Sequence, residues 1–516
     1  MIQGLARQSL PTLVLVTLLL AGCALPPVKD RPDSNAIAVD QARLTPIGHA
    51  IEPQLADHPD KVGLYLLDDP STTFAALTHL VRTAQRTLDV QYYIWYADRS
   101  GTLLLRELLD AAKRGVRVRL LLDDQGTRQL DPELAALHAH PNIEVRLFNP
   151  FLARDARWLD FLTRFERANR RMHNKVLIAD NAALISGGRN IGDSYFGATD
   201  GFLFSDLDIL AIGPVVDKVS TGFDDYWESE PAYPAEQILP PAQDGVLDEL
   251  DWKADALTLA PDTQDMLVAV RDNFVVGKLL RGELGLIWAP TELVIDPPRK
   301  GLGPIALEDL LTIDLRDKLG VPRQSVDIIS SFFVPTPTLT EALSTLARRG
   351  VRVRVLTNSL DATDMPPAHS GYARYREPLL EAGVELYEMK RKGEQDPQPH
   401  GAGPFGSPAT TLHAKAVVID GRRVFIGSYN VDPRSVLLNT ELGFVIDSPK
   451  LADAISHTFE THVPESAYRV ELEDGELRWI EQHHGEVIHH EHEPGAGLMK
   501  RGAAWLFSLM PIEWLL

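Results

Sequence analysis

The chain predicts an α/β protein built as two similar layered α/β halves related by a pseudo-two-fold axis. Three observations carry this. A strand-like, helix-like, strand-like block occurs twice, each block is followed by the same short pattern of His, Lys and Asp, and 516 residues exceed the size at which one hydrophobic core normally stops growing.

The first block runs LDVQYYIWY from Leu88, then TLLLRELLDAAKRG, then VRVRLLLDD ending at Asp124. The second runs VDIISSFFVP from Val326, then LTEALSTLARRG, then VRVRVLTNS ending at Ser359. Short runs rich in Val, Ile and Tyr read as strands, and apolar residues spaced three and four apart read as a helix. Each helix should stop after a basic pair, Lys113 with Arg114 or Arg348 with Arg349, which suits the negative end of its dipole. Gly115 and Gly350 then supply the left-handed stop. Strand–helix–strand order implies a mixed or largely parallel sheet covered by helices. The strand aromatics Tyr92, Tyr93, Trp95, Phe332 and Phe333 read as core.

From these signals the chain divides into a leader at 1–22, a Pro- and Asp-rich tether at 23–57 and a first half at 58–235. A connector or insertion matching neither copy follows at 236–320, then a second half at 321–465 and a tail of hairpins and apolar residues at 466–516. With 44% hydrophobic and 24% charged residues the body is globular. The formal net charge of −21 opposes a nucleic-acid partner, which ordinarily meets a basic surface.

In RRMHNKVLIAD, His173 and Lys175 are two apart, so on a strand they face the same way, and Asp180 ends the apolar run. TLHAKAVVID repeats the arrangement with His413, Lys415 and Asp420. A Gly-bearing turn follows each, GGRN and GSYN, whose backbone N–H groups, with Asn190, Asn430 and Ser428, are candidates to bind phosphate without a metal or other cofactor. Asp206-Leu207-Asp208 and Asn439-Thr440-Glu441 come next. A carboxylate there can accept the Nδ1–H of an imidazole and free Nε2, and Asp208 and Glu441 are the candidates for that task. Asp180 and Asp420, ending buried strands, are read as holding their own loops through backbone hydrogen bonds. His483, His484, His489, His490 and His492 flank a turn at Gly485 outside the repeat and read as a solvated hairpin rather than a metal site.

The paired HxKx4D motifs, with G-G/S-x-N and the carboxylate pattern in both halves, resemble the phospholipase D superfamily over roughly residues 60–465. GGRNIGD, FSDLDIL, PAHSGYARYREPLLEAGVELYE from Pro367 and the ending LMPIEWLL look like the bacterial cardiolipin synthase C-type branch. The resemblance implies a phosphatidyltransferase acting on membrane phospholipids. One histidine, assigned as His173, attacks phosphorus. The other, His413, protonates the leaving alcohol and later activates an acceptor, while Lys175 and Lys415 neutralise the phosphoryl oxygens. Cardiolipin formation from phosphatidylglycerol or phosphatidylethanolamine is the leading expectation. A hydrolytic phospholipase D, a periplasmic nuclease and a non-catalytic lipid-binding envelope protein stand as alternatives.

The apolar run Leu10–Ala21 is too short to cross ~30 Å of hydrocarbon and has the length of a signal-peptide core. It ends in Leu20-Ala21-Gly22-Cys23, which resembles a bacterial lipobox, so the expectation is lipidation at Cys23, the only cysteine. That implies a periplasm-facing envelope lipoprotein. Ala24 in place of an Asp favours the outer over the inner membrane. The apolar tail around Trp505 and Trp514 can either enter a membrane interface or dock on the body.

Overall fold

In the computed structural model, the described residues are 27–516 apart from 30, 128, 197–205, 392–411 and 484. Cys23 and its leader therefore lie outside the described residues. Nineteen strands among the described residues form two sheets, one for each half.

The first sheet holds β1 (Val62–Leu67), β2 (Thr87–Ile94), β3 (Arg117–Gly126), β4 (Ile143–Phe148), β5 (Val176–Ala179), β6 (Ala183–Gly187), β7 (Asp208–Ile212), β8 (Ala232–Pro234) and β9 (Ile287–Ala289). Its spatial order is β8-β4-β3-β2-β5-β6-β7-β1-β9. The second holds β10 (Thr291–Ile295), β11 (Ser325–Ser330), β12 (Arg352–Asn358), β13 (Glu385–Met389), β14 (Lys415–Ile419), β15 (Arg423–Gly427), β16 (Leu442–Asp447) and β17 (Ala467–Glu473), with the hairpin β18 (Glu476–His483) and β19 (Glu486–His490). Its order is β10-β16-β15-β14-β11-β12-β13-β17-β18-β19.

The two orders correspond strand for strand from β4 to β1 and from β13 to β10. In each sheet the strand–helix–strand block gives parallel pairs, β2 with β3 and β11 with β12, whereas the HxK strand joins antiparallel. The repeat extends to buried charge: Arg119 meets Asp89 across β2–β3 at 2.6 Å, and Arg354 meets Asp327 across β11–β12 at 2.7 Å. The block helices span Arg99–Lys113 and Thr336–Arg348, and Gly115 and Gly350 follow with φ of +95° and +86°.

One apolar core spans both halves. Val176, Ile178 and Leu184 of the first sheet join Ala416, Val418, Val424 and Ile426 of the second, together with Phe223 and Phe459 from the helices Pro214–Trp227 and Pro449–Thr461. The outer faces are covered separately. Burying the inner faces against each other sets the two HxK strands on either side of a shared seam, a large apolar gain that neither half achieves alone.

Two segments differ from expectation. The stretch read as a tether packs on the body from Arg31 onward, because the buried guanidiniums of Arg119 and Arg146 need acceptors: the carbonyls of Ser34 and Pro32 supply them at 2.5 and 2.7 Å. Within it the helix Pro46–Ala56 buries Ile47 and Ile51. The stretch read as a connector divides between the sheets. β9 pairs with β1, and β10 pairs with β16 as β1 pairs with β7, so the sheet of the second half begins at Thr291. Among the described residues no helix is long and apolar enough to cross a membrane.

Candidate active site

The seam carries the site. Met172 of the first half pairs with Thr440 of the second: His173 donates its N–H to the Thr440 carbonyl at 2.9 Å, and Thr440 donates to the Arg171 carbonyl at 2.9 Å. Asp123 on β3 holds the same segment, accepting from the Met172 N–H at 2.8 Å and the Arg171 guanidinium at 3.1 Å. In the second half Asn358, at the end of β12, brackets the Leu412 backbone at 3.1 and 2.9 Å. Backbone pairing between the halves thus places Glu441, next to Thr440, beside His173.

The imidazole–carboxylate contacts cross between halves. His173 Nδ1 lies 2.8 Å from Glu441, and His413 Nδ1 lies 2.6 Å from Asp206. Asp206, held ionised, only accepts, so His413 Nδ1 carries the hydrogen and its Nε2 keeps the lone pair; Glu441 imposes the same on His173 in its ionised form.

Asp208 was expected to orient an imidazole, and the structure gives that position to Asp206. Asp208 is turned to Arg189 at 2.8 Å, and also accepts the Arg189 backbone N–H at 3.2 Å. The reason is the register of the strand. Asp208 starts β7 opposite Gly187, two residues past Asp206, and meets the buried Arg189 instead of the seam. Gly188 makes room for Asp206, since a Cβ there would come within 2.0 Å of its carboxylate. At the equivalent place Ser428 donates to Glu441 at 2.5 Å, so Ser428, expected to touch phosphate, is engaged with the orienting carboxylate.

The remaining expected residues fall as follows. Asn190 accepts from the Ile94 N–H at 3.2 Å and donates to Tyr195 at 3.0 Å, so its amide is used within the protein. Asn430 accepts from Ser331 at 2.9 Å. Lys175 donates to the His173 carbonyl at 2.6 Å, and Lys415 donates to Ser331 at 3.1 Å and to the His413 carbonyl. Lys175 keeps two hydrogens and Lys415 one for a phosphate oxygen. Asp180 collects the N–H groups of Gln85, Arg86 and Thr87, and Asp420 those of Arg323, Gln324 and Ser325, both from left-handed backbone at φ +55° and +53°.

Other side chains complete the walls. Tyr93, read from the sequence as core, and Tyr195, which no sequence signal marked, set their rings edge-on to His173 and His413, with centroids 5.0 and 5.3 Å away. Half-buried Arg434 donates to the Leu515 carbonyl and to Asn169, and its N–H meets the Leu516 carbonyl at 2.7 Å. The tail is therefore docked on the body beside the site, with Leu516 buried and Trp514 against Phe165, while Trp505 and Leu506 stay exposed.

Burial governs the electrostatics. Desolvation, with Lys175 and Lys415 nearby, holds the His173 imidazole well below its usual range, and desolvation with Lys415 lowers His413 to about 4. Desolvation also lowers Lys175 to about 7 and Lys415 to about 8, against the pull of nearby carboxylates. Burial raises Glu441 to about 7. For Asp206 burial acts the same way, but His413, Arg189 and Lys415 outweigh it and hold the carboxyl at about 2. The free site thus contains neutral imidazoles between cations, a setting that an entering phosphodiester anion stabilises.

The family described as "Cardiolipin synthase, PLD-like domain" matches residues 77–227 and 315–463, more than half of the chain. The chain belongs to this phospholipase D-like family and is an enzyme of the phosphatidyltransferase type. It is 46% identical to cardiolipin synthase C of Escherichia coli over 475 residues, covering 91% of this chain and 99% of that protein. It is 25% identical to cardiolipin synthase A of Yersinia pseudotuberculosis over 423 residues, covering 80% of this chain and 71% of that protein. Among solved structures, phosphatidylserine synthase of Haemophilus influenzae shares the fold at a TM-score of 0.54 and 16% identity, covering 92% of this chain and all of that one.

Two outcomes follow from the geometry. Asp206→Asn should lower kcat on the order of a hundredfold with a small change in melting temperature, because it weakens the His413 contact while the amide oxygen can still accept the Leu207 N–H. Asp208→Asn should instead cost about 3–5 kcal/mol of stability by leaving Arg189 buried without its counter-charge, with a smaller loss of kcat through the Asp206 backbone that Arg189 holds; paired activity and thermal-melt measurements separate them. The rate against pH should also show an alkaline limb. Lys175 and then Lys415 lose their charge as pH rises through about 7 and about 8, so kcat/KM falls from about 7 upward, and the kcat limb lies higher because bound phosphodiester favours the ammonium.

Proposed function

We propose that this chain forms cardiolipin by transferring a phosphatidyl group through a covalent phosphohistidine. The observation that carries the reading is the pair of crossed dyads, His173 with Glu441 and His413 with Asp206, set together with the buried Lys175 and Lys415. The near full-length similarity to cardiolipin synthase C supports the choice of lipid chemistry.

In the first step His173 Nε2 attacks the phosphorus of phosphatidylglycerol or phosphatidylethanolamine. A P–N bond forms, the P–O bond to the headgroup breaks, and His413, protonated once the anion is bound, gives its proton to the leaving alcohol. Glu441 stabilises the positive charge that develops on His173. Lys175 and Lys415 offset charge on the equatorial oxygens. In the second step neutral His413 takes the proton from a hydroxyl of an acceptor phosphatidylglycerol as that oxygen attacks phosphorus. The P–N bond breaks, and both histidines return to their starting state. We also propose that the protein is an envelope lipoprotein held through Cys23, a reading that rests on the Leu20-Ala21-Gly22-Cys23 leader.

Purified protein in vesicles of phosphatidylglycerol, alone and with phosphatidylethanolamine, should generate cardiolipin. His173→Ala and His413→Ala should each lower the rate by at least about a thousandfold, the scale of losing a catalytic nucleophile or base. Phosphatidic acid as the main product would mean that water is the acceptor. Cardiolipin formation surviving both substitutions would remove the mechanism.

A further inference from the structure

The two dyads are supported differently, and the difference points to a role for the segment that follows β10. Behind Asp206, Arg189 pairs with Asp208 at 2.8 Å and also donates to the Asp206 carbonyl at 3.1 Å and the Asp68 carbonyl at 2.7 Å. This buried cation and carboxylate, both on the repeat itself, hold the backbone that carries the orienting carboxylate.

The second half lacks both partners. Gly427 registers with Gly443 as Gly187 registers with Asp208, so Gly443 occupies the position of Asp208 and Tyr429 that of Arg189. No side chain fits at Gly443, where a Cβ would come 2.3 Å from the Phe425 ring. The support comes instead from residues just past β10. Asp296 donates its N–H to the Glu441 carbonyl at 3.0 Å and accepts the Glu441 N–H on its carboxylate at 3.0 Å. The Lys300 ammonium sits 2.8 Å from that carboxylate and 2.9 Å from the Ser435 carbonyl. Asp296 is further fixed by the Leu311 N–H at 3.0 Å and by the Tyr226 hydroxyl, from the first half, at 2.7 Å. Both charged side chains are about 1% exposed or less.

We propose that Asp296 and Lys300 are positioning residues for the Glu441–His173 dyad, replacing from the segment after β10 the Arg189–Asp208 pair that the second half lacks. Asp296 pins Glu441 at its N–H and its carbonyl. Lys300 neutralises Asp296 so that a third carboxylate can lie behind Glu441 without repelling it. Neither side chain touches His173, so the effect passes through the placement of Glu441. The role rests on the catalytic reading above only for its kinetic consequence.

The test uses the full chain. Asp296→Asn combined with Lys300→Met removes both charges and leaves no unpaired ion in the interior, so the fold is retained. The low-field proton resonances of the two imidazole Nδ1–H groups, assigned with His173→Ala and His413→Ala, are then compared with kinetics on phosphatidylglycerol vesicles. The expected result is that the His173 resonance shifts or broadens while that of His413 stays, and that kcat falls about tenfold to a hundredfold with KM unchanged. Lys300→Arg, which keeps the charge, should retain the His173 resonance and most of kcat. An unmoved His173 resonance, or equal movement of both, would overturn the proposal, the second by showing general loosening. Inactivity of the unsubstituted protein on these vesicles would count against the catalytic reading, and the resonance comparison alone would then decide positioning.

Discussion

The rest of the structure depends on the contact of each imidazole with a carboxylate from the opposite half. His173 has its carboxylate on the strand leading into β16, and His413 has its own just before β7. Neither half contains a complete dyad. The shared apolar core, the pairing of Met172 with Thr440 and the buttresses at Asp123 and Asn358 all bear on the same requirement, that two surfaces meet with side chains in hydrogen-bond register. Apolar burial brings the sheets together without direction, and the backbone bonds at the seam supply the direction.

An acidic chain can hold an anion site because the balance is local. Two lysines, two carboxylates and two neutral imidazoles share the buried pocket, and flanking charges come as pairs, Arg189 with Asp208 and Lys300 with Asp296. Burying so many groups is costly unless each is paired, and here the pairing also fixes geometry. The depressed lysines and the raised Glu441 have one cause, loss of water, and an arriving phosphodiester supplies the negative charge that the lysines lack.

Much of this was legible in the sequence, because a duplication shows each half twice. The repeat marked β2–β3 and β11–β12, the same-face placement of His and Lys followed from strand alternation, and the structural task of Asp180 and Asp420 followed from their place at the end of an apolar run. What was missed lies where the halves diverge. Asp206 and Asp208 were both available, and only an alignment of Asp206-Leu207 with Glu441-Leu442 would have chosen the first. Crossing of the dyads leaves no sequence signal, since it arises from packing between residues more than 200 positions apart. The roles of Arg189, Asp296 and Lys300 were equally hidden, because a buried ion pair looks like ordinary polar sequence until its partner is in place.

The central claim is that two unequal histidines, oriented across the seam, share one phosphatidyl transfer. Its most direct test is peptide mass spectrometry of enzyme mixed with phosphatidylglycerol and quenched in alkaline denaturant, which preserves a phosphoramidate bond. The account predicts a phosphatidyl adduct on the peptide carrying His173 and none on the peptide carrying His413. An adduct on His413 alone would contradict it, as would continued turnover by His173→Ala enzyme.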